Sequence, residues 1–222
     1  MQSLKKFFKS HPVILNLLSL FYRIILINRK KGGKQNHIVC RGTFLKGCKI
    51  EIYGKHNEII ISPLAKLNHC HIFINGNYNH ITIGTECIIN KLEIWIEDTE
   101  NRVEIGDNCW ITGKTHLAVT EGTQLQIGSK CLLSEDIVMR TGDSHSIFNS
   151  EGKRINPAKS IIIASHVWIG NKTILLKGSC VGDNSIIGTG SIVTKAFGQG
   201  VLLAGVPAKP IKEKVYWSSE RI

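Results

Sequence analysis

The stretch "MRTGDSHSIFN", residues 139 to 149, sets His145 among small and polar residues, two positions after the carboxylate of Asp143. A neutral imidazole near pH 7 can take a proton from a hydroxyl, typically for a ~10²–10⁴-fold gain in rate. Asp143 could hold the tautomer of that ring, and a neighbouring backbone carbonyl could equally do so. A second group of ring nitrogens lies in "HCH" at 69–71. Alternate strand positions share a face, so His69 and His71 could begin a metal site. A third ligand would have to come from another coil or chain. His56, His80 and His116 show no matching register, so no metal is expected.

The elements that carry His145 follow from a repeat. "NEIIIS" at 57, "NHITIG" at 79, "NRVEIG" at 101 and "TQLQIG" at 123 recur every 22 residues, with aliphatic positions at Ile61, Ile83, Ile105 and Ile127. Small residues follow four positions later at Ala65, Cys87, Cys109 and Cys131. From Ile127 the step tightens to six, through Leu133 and Met139. It resumes over Ile163, Ile169, Leu175, Val181, Ile187 and Val193. A six-residue step does not sustain the 3.6 period of a helix, whereas short strands joined by tight turns produce it. Three such steps make a triangular coil of 18 residues, and the 22-residue units are that coil plus a longer corner, as at "EDTE" (97–100) and "VTEG" (119–122). Gly170, Gly182 and Gly188 then mark places where the backbone turns. Repeats of this length imply a stacked architecture, each unit covering the open face of the last.

Counting sixes from Met139 puts His145 where an inward aliphatic residue belongs. Residues 146–160, "SIFNSEGKRINPAKS", are polar and carry turn signals at Glu151-Gly152 and Asn156-Pro157, so at least a partial excursion is expected. Working residues tend to sit on loops held by a rigid scaffold.

Charge is concentrated at one end. The first fifty residues hold eleven Lys or Arg and no acid, and the rest hold 17 of each sign, so the net charge of +11 belongs to the N-terminal end. A charge-balanced body argues against nucleic-acid binding, which puts a basic stripe on the fold itself. The apolar run from Val13 to Ile27 is shorter than the roughly 20 residues a membrane-spanning helix needs, and it contains Arg23. No small-residue cleavage site follows it, which argues against a signal peptide. Residues 1–35 therefore read as a basic amphipathic helical segment, lying on an anionic membrane surface or packed on its own domain or a sister subunit. Seven cysteines without a CxxC pair, three of them 22 apart, mark a repeat position rather than a disulfide framework, and point to the cytoplasm.

The run "IIIASHVWIGNKTILLKGSCVGDNSIIGTGSIVTKAF" followed by "LLAGVPAKPI" resembles the hexapeptide-repeat acyltransferases. The match is strong over 127–212, weaker over 57–126 and absent over 1–35. The resemblance implies an all-β, left-handed parallel β-helix, a known exception to right-handed crossovers. The β-helix is placed at 36–205 with an active-site loop at 142–160. The N-terminal helical segment precedes it, and 206–222 form a closing segment ending in a short helix.

His145 within "TGDSH" resembles the catalytic histidine of the branch that O-acetylates sugars and capsular polysaccharides, polysialic acid included. That likeness implies an acetyl-CoA-dependent O-acetyltransferase in which His145 is the general base, with Asp143 as a candidate orienter. In that branch a tryptophan at the place of Trp168 lies by the active site, where it binds donor or acceptor and offers its indole N–H. Plain subunit packing is the alternative for this ring. Gly188, Thr194 and Ala204 carry over as backbone contacts to coenzyme A, and Lys195 and Lys209 as partners of its phosphates. The family implies a homotrimer with active sites between subunits and a glycan acceptor, and the basic N-terminal arm would place the enzyme in the cytoplasm, at the inner membrane face. Other readings are acetylation of an amino sugar, serine or small oligosaccharide; a non-catalytic scaffold, marked by no thiol release; and a carbonic-anhydrase-like metal enzyme, marked by bound metal.

Overall fold

Branched aliphatic residues at every second strand position favour extended chain with one buried side. Here the strands of successive coils stack parallel and in register, each on the strand one coil earlier, until the last strand turns back. The computed structural model describes residues 6–8, 10–25 and 29–220. They form a parallel β-solenoid of about 7 turns, triangular in section, built from three sheets of 8, 8 and 9 strands. Face I includes Lys49–Tyr53, His71–Asn75, Leu92–Glu97, Thr115–Val119 and Ile137–Arg140. Face II includes Glu58–Ile61, His80–Ile83, Arg102–Ile105, Gln124–Ile127 and Ile161–Ile163. Face III includes Lys66–Asn68, Ile88–Asn90, Trp110–Ile111, Leu132–Leu133, Trp168–Ile169 and Ile186–Ile187.

All the aliphatic positions of the repeat, from Ile61 to Val193, point inward and are buried. Truncating one to alanine costs about 2–5 kcal/mol in a core that cannot collapse. The corners are columns too. Cys87, Cys109 and Cys131 stack between faces II and III, each Sγ donating to a carbonyl of the next coil (3.1, 3.0 and 3.2 Å). The Cys109 thiol is pushed up to about 12, first by its hydrogen bond with Cys131. Between faces I and II runs a buried amide ladder, in which Asn57 Oδ1 accepts from the backbone and side-chain N–H of Asn79 (2.9 and 3.0 Å). Asn79 Oδ1 accepts likewise from Asn101.

The glycines do a different job from the one expected. Gly170, Gly182 and Gly188 do not carry positive φ; that conformation falls to corner residues such as Asn108, Lys130, His166 and Asn184. A Cβ at Gly170 or Gly182 would meet backbone of the next coil at 2.7 or 2.5 Å, so close approach is what excludes a side chain.

Both ends are closed. The helix Pro12–Ile25 covers the first coil with Leu15, Ser19 and Tyr22, the tyrosine ring lying 5.5 Å from Phe44. Its opposite side exposes Val13, Leu17, Leu20 and Phe21. Other parts of the basic segment, residues 1–5, 9 and 26–28, lie outside the described residues. At the other end the expected short helix is absent among the described residues. Ala208–Glu213 forms a strand antiparallel to Val201–Gly205 instead. The last face III strand presents an open row of N–H and C=O groups, and the returning strand satisfies them. Trp217 then folds back, its indole N–H donating to the His166 carbonyl at 2.7 Å.

Candidate active site

The repeat breaks between Ile137–Arg140 on face I and Ile161–Ile163 on face II. Leu125 pairs with Ile161, 36 residues on, so residues 141–160 leave the solenoid without adding a coil. The hexad count through His145 is a coincidence of loop length: His145 is exposed on the loop and not inward. The ends of the loop meet where the Lys159 N–H donates to the Thr141 carbonyl at 2.9 Å. Its tip turns at Gly152, φ +74°, as the Glu151-Gly152 signal predicts.

One side chain staples the loop to itself, and two from the solenoid hold it to the edge between faces I and II. Asn156, 6% exposed, donates from Nδ2 to the His145 carbonyl (2.8 Å) and to Asp143 (2.9 Å), while its Oδ1 accepts from the Ile147 N–H (2.7 Å). From the coil below, Glu121 accepts from Arg154 and from the Ala158 N–H, both at 3.1 Å. From the coil above, Lys177 pairs with the Asp143 carboxylate and reaches the Asn156 carbonyl at 3.2 Å. Lys177 first and Asn156 second hold the Asp143 carboxyl below the usual carboxylate range. Arg154 does the same to Glu121.

The Asp143 carboxylate makes no hydrogen bond to the imidazole; its Oδ2 takes Lys177 and Asn156, so that it braces the loop beside the ring. The His145 backbone is fixed at both ends, its N–H donating to the Asp143 carbonyl at 2.8 Å. Its ring makes no hydrogen bond among the described residues, so both nitrogens are open to a reactant. Glu121, Arg154, Asn156 and Lys177 are the residues that sequence reasoning missed. The spacing of Glu121 and Lys177, one coil either side of the loop, was the available signal.

The other predicted residues fall into two groups. Trp168, Gly188, Ala204 and Lys209 share face III, where Ile187 pairs with Leu203 and Ala204 with Lys209. The Trp168 ring is 39% exposed and lies 6.2 Å from Trp217, which stacks on His166 at 4.5 Å. A Cβ at Gly188 would sit 3.2 Å from the Leu203 carbonyl. Thr194 and Lys195 instead occupy the edge between faces I and II, on the loop's side. Within one chain the body of the prism separates face III from that edge, so Trp168 does not meet His145.

The remaining histidines other than His69 have carboxylate or ring partners. His71 pairs with Glu51 at 2.8 Å, whereas His69 is in a corner with φ +53°, so the two do not share a face as expected. His116 is half-buried against Glu93 at 2.8 Å. No cluster of three or more His, Cys, Asp or Glu among the described residues could hold a metal ion.

No family model matches the chain. The crystal structure of a polysialic-acid-specific acetyltransferase, NeuO, superposes with a TM-score of 0.80 at 31% identity, over 86% of this chain and 82% of that one. The chain belongs to the hexapeptide-repeat O-acetyltransferase family. A second member, the polysialic acid O-acetyltransferase OatWY, superposes with a TM-score of 0.77 at 26% identity, over 88% of this chain and 93% of that one. The fold is thus the left-handed β-helix of these acetyltransferases. Among curated relatives, the polysialic acid O-acetyltransferase of Escherichia coli O1:K1 is 38% identical over 101 residues, 45% of this chain and 33% of that protein. The galactoside O-acetyltransferase of Escherichia coli K12 is 34% identical over 100 residues, 44% of this chain and 48% of that protein. The aligned stretches thus span between a third and a half of these two relatives. In this hexapeptide-repeat protein the loop that carries His145 leaves an otherwise unbroken solenoid.

Proposed function

We propose that the chain transfers the acetyl group of acetyl-CoA to a sugar hydroxyl of a surface or capsular polysaccharide, with His145 as general base. The observation that carries this reading is the loop: Asn156 staples it internally, Glu121 and Lys177 tie it to a rigid edge, and the His145 ring is left unbonded among the described residues. The similarity to two polysialic acid acetyltransferases supports the substrate class. The imidazole removes the hydroxyl proton, and the oxygen attacks the thioester carbonyl. A backbone N–H or the Trp168 indole N–H meets the developing oxyanion. Collapse breaks the C–S bond, and the imidazolium returns its proton to the departing thiolate.

Since His145 and Trp168 lie on opposite sides of one prism, a second copy completes the site in this reading, and the family resemblance makes the closed assembly a homotrimer. Trp168, Gly188, Ala204 and Lys209 of one subunit then line the coenzyme A groove with Thr194 and Lys195 across it. Thiol release from acetyl-CoA, screened over a panel of glycans, tests the activity. Release that depends on a glycan and vanishes in His145→Ala is expected; release that survives His145→Ala would refute the assignment.

The chain works at the cytoplasmic membrane face. Among the described residues no helix is long and apolar enough to cross a membrane. The helix Pro12–Ile25 presents Leu17 and Phe21, 63% and 65% exposed, beside a segment without acids, which supports binding flat on anionic lipid.

A further inference from the structure

Outward side chains on face I also stack in columns, and one column stops short. Phe73 and Trp95 are in register and stack at 20° with ring centroids 4.0 Å apart, and Tyr53, in register with Asn75, tilts against Phe73 from the side at 5.6 Å. The next position in register with Trp95 is Ala118, and the one after that is Arg140. Strands are about 4.8 Å apart, so a methyl group in place of a ring leaves one rung of the ladder empty. The gap opens into a cavity of about 330 Å³, bordered by Trp95, Ala118, Arg140, His116 and Ser144 and by two carboxylates, Glu93 and Glu97, each already engaged by a wall residue. That volume is in the range of small-molecule sites.

The walls are fixed before any ligand arrives. The Trp95 indole N–H donates to Glu97 at 3.1 Å, and His116 bonds Glu93 at 2.8 Å. Arg140 donates to the Ser144 hydroxyl at 2.7 Å and forms no ion pair with a carboxylate among the described residues. It is a half-buried cation facing a slot one ring thick. Ser144 precedes His145, so a ring in the slot lies beside the loop that carries the open imidazole.

We propose that this slot seats the pyranose ring of the acceptor, its apolar face on Trp95 and an acidic substituent at Arg140. This rests on the glycan acetyltransferase function proposed for His145 and narrows it to acidic sugars. A pyranose presents a flat C–H face that an indole covers well, and a guanidinium forks onto a carboxylate.

The test is Ala118→Trp, which supplies the missing ring. It extends the existing stack, so folding is retained and the thermal midpoint is unchanged or raised. Binding of a sialic acid oligomer without donor, and its KM in the thiol-release assay, should each worsen roughly tenfold, the worth of one stacked ring. The KM for acetyl-CoA should not move. Arg140→Gln should weaken the acidic oligomer and spare a neutral galactose oligomer. An Ala118→Trp protein that folds, yet binds and acetylates as wild type does, overturns the slot and leaves the activity standing. Wild-type protein that binds the oligomer through Ala118 and Arg140 but never releases thiol overturns the activity alone. No binding of any oligomer by wild type overturns both.

Discussion

Asn156→Ala tests whether the loop is a positioned element or merely a decoration of the solenoid. The substitution removes three short hydrogen bonds of 2.7, 2.9 and 2.8 Å, to the Ile147 N–H, to Asp143 and to the His145 carbonyl, and a longer one of 3.4 Å from Arg154. At about 1 kcal/mol net for each short one, opening of the loop becomes easier by about 3 kcal/mol, or roughly a hundredfold. Hydrogen exchange reads this directly. The Ile147 amide should exchange roughly a hundredfold faster, by that 3 kcal/mol, while core amides such as Leu132 and Ile162 keep wild-type protection. Glycan-dependent kcat should fall with little change in the KM for acetyl-CoA, because the donor face is untouched. Asn156→Asp keeps the acceptor for Ile147 but sets a second carboxylate against Asp143, so its loop should be loosest at neutral pH and tighten on mild acidification. Wild-type exchange at Ile147 in Asn156→Ala would refute the argument, since the staple would then carry nothing.

Mixing inactive His145→Ala and Trp168→Ala chains during assembly should restore roughly a quarter of wild-type activity, because random assortment in a closed trimer pairs an intact His145 with a neighbour's intact Trp168 that often. Restoration of none would place both groups in one subunit's site. Asn79→Ala breaks the amide ladder at Asn57, Asp98 and Asn101, and should cost about 3–5 kcal/mol in denaturant unfolding, since buried partners are left unmet. The carboxyls of Asp143 and Glu121 are both held low in the folded protein, so the stability they lend the loop is complete at neutral pH. It is lost only as pH falls below about 4. Exchange at Ile147 should therefore rise in acid while the core, which buries no Asp or Glu among the described residues, stays protected. Leu17→Asp with Phe21→Asp should abolish sedimentation of the protein with phosphatidylserine vesicles and leave thiol release intact.

The scaffold was readable because its physics is periodic. Every aliphatic residue picked by the steps of 22 and six is buried, and the cysteines spaced 22 apart stack in one corner. What escaped was contact between residues far apart in sequence. Asp143 lies two positions from His145, and local spacing suggests that the carboxylate serves the ring. Its partner is Lys177, 34 residues along, delivered by the coil above. The C-terminal tail failed for a similar reason. "KEKVYWSSERI" lacks an apolar helical stripe, and the demand that shapes the preceding residues is the unpaired edge of Val201–Gly205.

In a stack of equivalent positions, each column gains by continuing: an aromatic rung is worth about 0.5–1.5 kcal/mol and an amide rung about as much. Stopping a column forfeits that gain, so the level at which columns stop is informative. The aromatic column stops at Ala118, and the amide ladder passes from Asn101 to the shorter Thr123, both within one coil. The Thr123 hydroxyl turns instead to Thr141, the first residue of the loop, at 2.7 Å. The ladder on the edge is thus given up where the chain must leave the solenoid, and the ladder on the adjoining face where a ring-sized space opens beside the departing chain. Two unrelated interactions yielding at the same height, next to His145, are what the proposed function calls for, because under it a flat acceptor and the imidazole meet there. Restoring the amide rung alone, by Thr123→Asn, should therefore disturb the root of the loop and lower kcat, whereas restoring the aromatic rung alone, by Ala118→Trp, should raise the KM for the glycan. Identical kinetic signatures from the two variants would mean that the two breaks serve no separate ends.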